Sequence, residues 1–166
     1  LRGIVRSMRP QQWMKNALIF VPLLAAHQLG QPQQLLNGVL AFLFFGLCAS
    51  SVYVLNDLLD LADDRHHATK RKRPFACGKL SIKAGLVIVP VLLIAAFSGA
   101  ALLLPWQFCG VLAAYYLLTL AYSLSLKRQM VTDVIVLAML YTARILAGAA
   151  AFHLPLTFWI LAFSMF

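Results

Sequence analysis

The fold is decided by residues 35–64, which read LLNGVLAFLFFGLCASSVYVLNDLLDLADD. No residue from Leu35 to Asn56 is charged, and an α-helix needs about 20 apolar residues to cross a bilayer. The stretch then ends in a run of aspartates. We therefore predict a membrane-spanning helix from about Leu35 to Leu59 that ends in an acidic cluster.

The rest of the chain repeats this apolar pattern. Hydrophobic residues make up 62% of the sequence, against about 45–50% in soluble domains. Further apolar segments run from about Asn16 to Leu29, Ser81 to Leu104, Trp106 to Leu124 and Val131 to Phe152, and a sixth begins near Leu154. The first is marginal as a span because it is short and contains Pro22. We predict an all-α, multi-span transmembrane helical bundle of five helices plus the start of a sixth, forming a single membrane domain over residues 1–166.

The basic residues identify the cytoplasmic face. Thirteen of the 14 lysines and arginines lie before the first segment, in the loops after the second and fourth segments or, for Lys83, at the start of the third segment. The positive-inside rule makes that face cytoplasmic, with the N-terminus inside. We expect a multi-pass protein of the bacterial inner (plasma) membrane. Cytoplasmic loops, anionic lipids and an anionic substrate account for the formal charge of +9, so we do not expect a nucleic-acid partner.

The remaining basic residue, Arg144, lies inside the fifth segment. A charge at the bilayer centre costs at least about 2.5–3.5 kcal/mol, so this side chain should face a polar cavity or a partner. Asp133 precedes it by 11 residues, which is close to three helical turns and about 16 Å along the axis. The two residues share a helix face but are too far apart to pair. We predict a polar stripe on the fifth helix that lines a cavity.

The acidic cluster is the strongest candidate for a functional site. On a helix, Asp57, Asp60 and Asp64 share one face, whereas Asp63 points away from it. Like charges on one face repel each other, and a divalent cation would compensate for them. Hard oxygen ligands suit Mg²⁺, so we predict Asp57, Asp60 and Asp64 as catalytic metal ligands, assisted by Asn56. The alternative is a solvated helix end that marks the membrane interface.

A basic loop follows the aspartates directly. Residues 65–79 read RHHATKRKRPFACGK. A dense cationic block beside a carboxylate–metal site suits a diphosphate, which carries several negative charges. Lys70 and Arg73 are the candidate phosphate contacts. Taken alone, such a block is more often an ordinary cytoplasmic anchor.

The motif Asn-Asp-x-x-Asp-x-x-x-Asp, formed by Asn56, Asp57, Asp60 and Asp64, resembles the first aspartate-rich motif of the UbiA prenyltransferase superfamily. The loop continues the resemblance, although Ala68 replaces a usual proline and Cys77 a usual serine. Other parts resemble the branch that includes polyprenyl-phosphate (decaprenyl-phosphate) phosphoribosyltransferases. These parts are residues 9–16, RPQQWMKN, and the residues Tyr122, Ser123, Lys127, Asp133, Tyr141, Arg144 and Gly148.

The resemblance implies a Mg²⁺-dependent transferase that acts on an isoprenoid lipid substrate and a diphosphate among membrane lipids. In the family, diphosphate leaves an allylic carbon, and an aromatic acceptor captures the resulting cation. In the phosphoribosyl branch, diphosphate leaves ribose and a polyprenyl phosphate attacks. Tyr122, Lys127 and Arg144 would contact an anionic substrate, and Asp133 would orient Arg144 or a substrate hydroxyl.

Two further expectations concern function class and length. A cation-binding transporter or channel is the non-enzyme alternative, although its ionisable residues would lie nearer the membrane centre. The family carries a second aspartate-rich motif near the end of helix six, which would lie beyond Phe166. We therefore expect the chain to be the N-terminal part of a UbiA-like transferase that is inactive by itself.

Overall fold

The structure, a computed structural model, describes residues 2–124 and 130–155. Within these ranges the backbone forms α-helices and 3₁₀-helices joined by turns, with no β-strand. The α-helices are α1 (Arg2–Met8), α2 (Val21–Ala25), α3 (Pro32–Leu59), α4 (Leu61–His66), α5 (Ile82–Leu103), α6 (Trp106–Leu124) and α7 (Met130–Phe152), and the 3₁₀-helices are Pro10–Phe20 and Lys70–Lys72. The all-α prediction is confirmed.

Among the described residues, four helices are long and apolar enough to cross a membrane. They are α3, α5, α6 and the Val134–Phe152 part of α7, which correspond to the second to fifth predicted segments. Their apolar composition and length identify the chain as an integral membrane protein. The sixth predicted segment lies almost entirely outside the described residues.

The first predicted segment is not a single α-helix. Pro10–Phe20 forms a 3₁₀-helix of 11 residues, and α2 follows it with 5 residues and Pro22 in its first turn. A 3₁₀-helix rises about 2.0 Å per residue and an α-helix 1.5 Å, so together they extend over about 30 Å. Long 3₁₀-helices are uncommon, and this one is packed against both α3 and α7. Tertiary contacts therefore support a geometry that the local sequence does not favour.

The core surrounds α3, which packs along α5 and also contacts α6, α7 and the 3₁₀-helix Pro10–Phe20. Its Phe45 is fully buried and lies against Tyr115 of α6, with ring centroids 4.4 Å apart. Because consecutive spans cross in alternating directions, the C-terminal end of α3, the N-terminal end of α5 and the C-terminal end of α6 share one face. This face, called here the charged face, carries the aspartate cluster and the basic loop.

Gly148 of α7 lies directly on the backbone of the 3₁₀-helix. A Cβ atom at this position would overlap the carbonyl oxygen of Ile19 and lie 2.8 Å from its carbonyl carbon. Small residues allow such close backbone approach between membrane helices. The glycine therefore fixes the distance between α7 and the N-terminal segment.

We predict that Gly148→Ala destabilises the protein, because a backbone carbonyl cannot rotate away as a flexible side chain can. Overpacking of this kind costs about 1–3 kcal/mol, measurable as a lower Tm in detergent. Gly110→Ala is the matched control, since Gly110 is an exposed helical glycine with nothing within 4 Å of an added Cβ. Equal Tm values for the two variants would contradict the close contact.

Candidate anion and metal site

The acidic cluster lies where α3 ends and α4 begins. Asp60 connects the two helices with φ −90° and ψ 10°, so the helix is interrupted there. The backbone hydrogen bonds nevertheless continue, from the Asp60 amide to the Asn56 carbonyl (2.9 Å) and from the Asp64 amide to the Asp60 carbonyl (2.8 Å). Asp57 and Asp64 are each only 1% exposed, and Asp63 is exposed, as its place on the helix predicted.

Two arginines neutralise the two buried aspartates. Arg73 Nη1 lies 2.6 Å from Asp64 Oδ2 and 3.3 Å from Asp57 Oδ1, so one guanidinium bridges both carboxylates. Arg9 Nη2 lies 2.5 Å from the same oxygen of Asp57. Charge-assisted hydrogen bonds of this kind are short and strong. Asp57 and Asp64 therefore face the same side, in agreement with their helical spacing.

A polar pocket of about 310 Å³ opens in front of Asp57. Basic and neutral polar side chains dominate its wall, and Asp57 is its acidic member. The lining residues are Arg6, Arg9, Gln11, Gln12, Asp57, Thr69, Lys70, Lys72, Arg73 and Pro74. Five cationic side chains around one carboxylate leave a strong excess of positive charge, which favours an anion with several charges. Both predicted phosphate contacts, Lys70 and Arg73, line this pocket.

Arg9 reaches the site because the N-terminal segment is fixed to α3. The Ser50 hydroxyl donates to the Met8 carbonyl and accepts from Trp13 Nε1, both at 2.9 Å. The ring of Trp13 covers Gly46, where it would lie 2.8 Å from an added Cβ. Between these contacts, Arg9 takes φ 50°, a left-handed conformation that is uncommon outside glycine. The fixed joint directs the Arg9 side chain toward Asp57.

The three predicted metal ligands do not converge in one cluster. Within residues 2–124 and 130–155, no group of three or more His, Cys, Asp or Glu side chains has a metal-binding arrangement. Arg9 and Arg73 form ion pairs with the buried carboxylates of Asp57 and Asp64. Asp60 is half-buried and has interactions of its own. Asn56 Oδ1 is buried without a hydrogen-bond partner, so one oxygen acceptor is unsatisfied at the residue that precedes Asp57. The metal assignment stays a prediction.

Arg144 lies in the interior of the bundle rather than along the pocket. It is 5% exposed, and its Nε donates to Asn16 Oδ1 at 3.1 Å, while Nη2 lies 3.4 Å from the Tyr115 hydroxyl. Its guanidinium lies 5.3–5.6 Å from the ring centroids of Phe45, Tyr115 and Tyr141. Cation–π contacts and neutral acceptors thus stabilise the charge, where the sequence had predicted a cavity-lining residue.

The other predicted substrate contacts are placed only in part. Tyr122 is half-buried on α6 and packs against the core. Lys127 lies outside the described residues. Asp133 lies in α7, but the structure describes its backbone and not its side chain. Their proposed roles stay predictions.

Sequence comparison identifies the family. A profile described as the UbiA prenyltransferase family matches residues 17–166. The chain belongs to the UbiA prenyltransferase family.

Named relatives cover nearly the whole chain. The nodulation protein NoeC of Azorhizobium caulinodans is 43% identical over 95% of this chain and 51% of its own length. The decaprenyl-phosphate phosphoribosyltransferase of Mycobacterium tuberculosis is 37% identical over 99% of this chain and 55% of its own length. The chain thus spans about half the length of these two relatives.

Solved structures of family members share the fold. A UbiA homolog from Archaeoglobus fulgidus bound to DMAPP and Mg²⁺ superposes with a TM-score of 0.78 at 19% identity, covering 98% of this chain and 59% of that one. The same homolog bound to GPP and Mg²⁺ gives a TM-score of 0.78 at 20% identity, covering 98% of this chain and 58% of that one. This likeness supports the helical arrangement described above.

Sequence reasoning missed Arg9 as the partner of Asp57. The signal available was the resemblance of residues 9–16 to one branch of the family, which marks the segment without stating what it contacts. The two residues are 48 positions apart, and helical periodicity does not extend across such a separation. Asn16, Trp13 and Ser50 were missed for the same reason.

Ser50 and its hydrogen bonds to the Met8 carbonyl and from Trp13 Nε1 form a clamp on the N-terminal segment. We predict that Ser50→Ala loosens this segment, because it removes both hydrogen bonds of the clamp and leaves their polar groups unpaired. Each unpaired group costs about 1–3 kcal/mol, so the variant should show faster proteolysis near residues 8–13 and altered Trp13 fluorescence. Ser98→Ala is the matched control, since its exposed hydroxyl donates to the Ile94 carbonyl of its own helix. A Ser50→Ala protein as resistant as Ser98→Ala would argue against the clamp.

Proposed function

We propose that this chain forms the N-terminal part of a membrane-embedded, Mg²⁺-dependent transferase that displaces diphosphate to join a polyprenyl group or polyprenyl phosphate to its partner substrate. The observation that carries the proposal is the pocket in which five basic side chains surround the buried carboxylate of Asp57. We place the charged face in the cytoplasm of a bacterial cell, because Lys and Arg are concentrated there.

The oxygen donors of the site fit Mg²⁺. Carboxylates and amide carbonyls are hard ligands of the kind Mg²⁺ prefers, and Asn56 Oδ1 is a buried acceptor that lacks a partner. Asp57, Asp60 and Asp64, with Asn56, would hold the ion. When bound, Mg²⁺ would offset negative charge on the departing diphosphate.

The side chains of the pocket supply binding and orientation. Lys70, Lys72 and Arg6 would donate to phosphate oxygens. Arg73 would hold the carboxylates of Asp57 and Asp64 side by side at the base of the pocket. Preorganised cations at the oxygens where charge develops favour departure of the leaving group. The reaction requires that water be kept from the reactive carbon, and a lipid tail would pass sideways between the apolar helices.

One feature of the pocket favours the phosphoribosyl alternative. Gln11, Gln12 and Thr69 add neutral hydrogen-bonding groups to its wall, and such groups suit sugar hydroxyls better than an apolar prenyl chain. Relatives named decaprenyl-phosphate phosphoribosyltransferase at 32–37% identity support the same choice. The archaeal structures with DMAPP and GPP support the allylic alternative at lower identity.

The arrangement speaks against a transporter or channel. A transport path would place ionisable residues near the membrane centre at broken helices, whereas the described carboxylates lie at one end of α3 and in α4. The deep charge of Arg144 is enclosed by aromatic rings and held by Asn16. An enzyme site at the charged face therefore fits the structure better.

We predict that Asp57→Asn and Asp64→Asn in the full-length protein each lower Mg²⁺-dependent transfer by about 100-fold, since each removes an anionic metal ligand. Turnover in nanodiscs measures the effect. Asp63→Asn is the matched control because it removes the same charge from an exposed neighbour, and it should retain near-normal turnover. Similar activity in all three variants would remove the proposed ligand roles.

The donor can be identified with two labelled substrates. Full-length protein in nanodiscs with polyprenyl phosphate should transfer label from a ribosyl diphosphate donor, because the pocket is polar. Label transfer only from an allylic diphosphate to an aromatic acceptor would instead establish the prenyl alternative. Failure of both donors in correctly folded protein would overturn the proposed function.

A further inference from the structure

We propose that Arg9 is a specificity-determining residue that closes Asp57 to free Mg²⁺ and opens it when a diphosphate occupies the neighbouring pocket. The inference rests on the proposed function and assigns a task to the N-terminal segment. In this account, the Arg9 guanidinium exchanges one anionic partner, a carboxylate, for another, a phosphate oxygen.

The position of Arg9 between two anion sites is the first support. Its Nη2 lies 2.5 Å from Asp57 Oδ1, and the Asp57 side chain is only 1% exposed while that of Arg9 is 27% exposed. The guanidinium thus covers the carboxylate and itself borders the pocket. A cation that approaches Asp57 must displace Arg9 first, whereas a phosphate in the pocket can attract it.

The exchange requires rotation of a side chain and no movement of the backbone. Met8 and Trp13, on either side of Arg9, are held by Ser50, so the base of the side chain is fixed. The ring of Tyr53 lies 5.5 Å from the Arg9 guanidinium and supplies a cation–π surface along which it can turn. Both positions of the guanidinium therefore keep favourable electrostatic contacts.

Arg9 is better suited to this exchange than Arg73. Arg73 bridges Asp57 and Asp64, so its departure would leave two buried carboxylates without their shared cation. Within the part of the chain that the structure describes, Arg9 pairs with Asp57, which Arg73 also contacts. Departure of Arg9 therefore frees one carboxylate oxygen for a new ligand while Arg73 keeps the pair of aspartates together.

Pocket charge strengthens the coupling. Arg6, Lys70 and Lys72 surround the same opening, and their positive charge repels a free divalent cation. A diphosphate offsets most of this positive charge before or as the metal enters. Free Mg²⁺ is therefore opposed by both the Arg9 pair and the pocket field, and Mg²⁺ with diphosphate is opposed by neither.

The test is a pair of binding titrations on full-length protein in nanodiscs, one with Mg²⁺ alone and one with Mg²⁺ plus inorganic diphosphate. Isothermal titration calorimetry measures the affinity in each. In Arg9→Gln, we expect affinity for Mg²⁺ alone to rise and affinity for Mg²⁺ with diphosphate to fall. Each change should be roughly tenfold, as for one charge-assisted hydrogen bond. Arg71→Gln is the matched control, because Arg71 is an exposed arginine of the basic loop beside the pocket and does not line the pocket.

The opposite signs of the two changes separate the inference from simpler roles. If Arg9→Gln lowers both affinities or changes neither, the exchange is refuted while the proposed function stands. If the unaltered protein binds no Mg²⁺ with diphosphate, the proposed function itself fails.

If Arg9→Gln does not fold, the same two titrations on Arg9→Lys test the exchange. Lysine keeps the charge but loses the forked geometry, so it should shift both affinities in the same directions by a smaller factor, and wild-type values for both would refute the role of the guanidinium.

Discussion

Two buried carboxylates, one in the last turn of a membrane-spanning helix and one in the short helix that follows, are the constraint on which the rest of the structure depends. Burying an ionised group without a partner is costly, and removal of one partner from a buried pair leaves an uncompensated charge. Asp57 and Asp64 are tolerated because Arg73 bridges them and Arg9 covers Asp57. The helix break at Asp60, the return of the basic loop and the position of the N-terminal segment all serve this neutralisation.

Packing inside the bundle fixes the N-terminal segment and so connects the core to the site. Gly148 of α7 contacts the Ile19 backbone, Arg144 bonds to Asn16, and Ser50 of α3 holds Trp13. These contacts follow one another along a 3₁₀-helix that lies between α3 and α7. The buried Arg144 therefore has a structural task at a distance from the pocket, because it anchors the segment that carries Arg9.

The membrane-spanning helices α3, α5, α6 and α7, and the shared side of Asp57 and Asp64, could be predicted from the sequence. Lipid forces a crossing backbone to satisfy its own hydrogen bonds, so apolar length predicts helices reliably, and helical spacing placed Asp57 and Asp64 together. The 3₁₀-helix, the pairing of Arg9 with Asp57 and the neutral partners of Arg144 could not be predicted. Each depends on contacts between residues far apart in sequence.

The most direct measurement is a cryo-electron microscopy structure of the full-length protein in nanodiscs with Mg²⁺ and inorganic diphosphate. We expect density for diphosphate in the pocket between Lys70, Lys72 and Arg6, with the ion on the Asp57 and Asp64 side and Arg9 turned toward phosphate. Diphosphate bound elsewhere, with the Arg9–Asp57 pair intact and the pocket empty, would contradict this expectation.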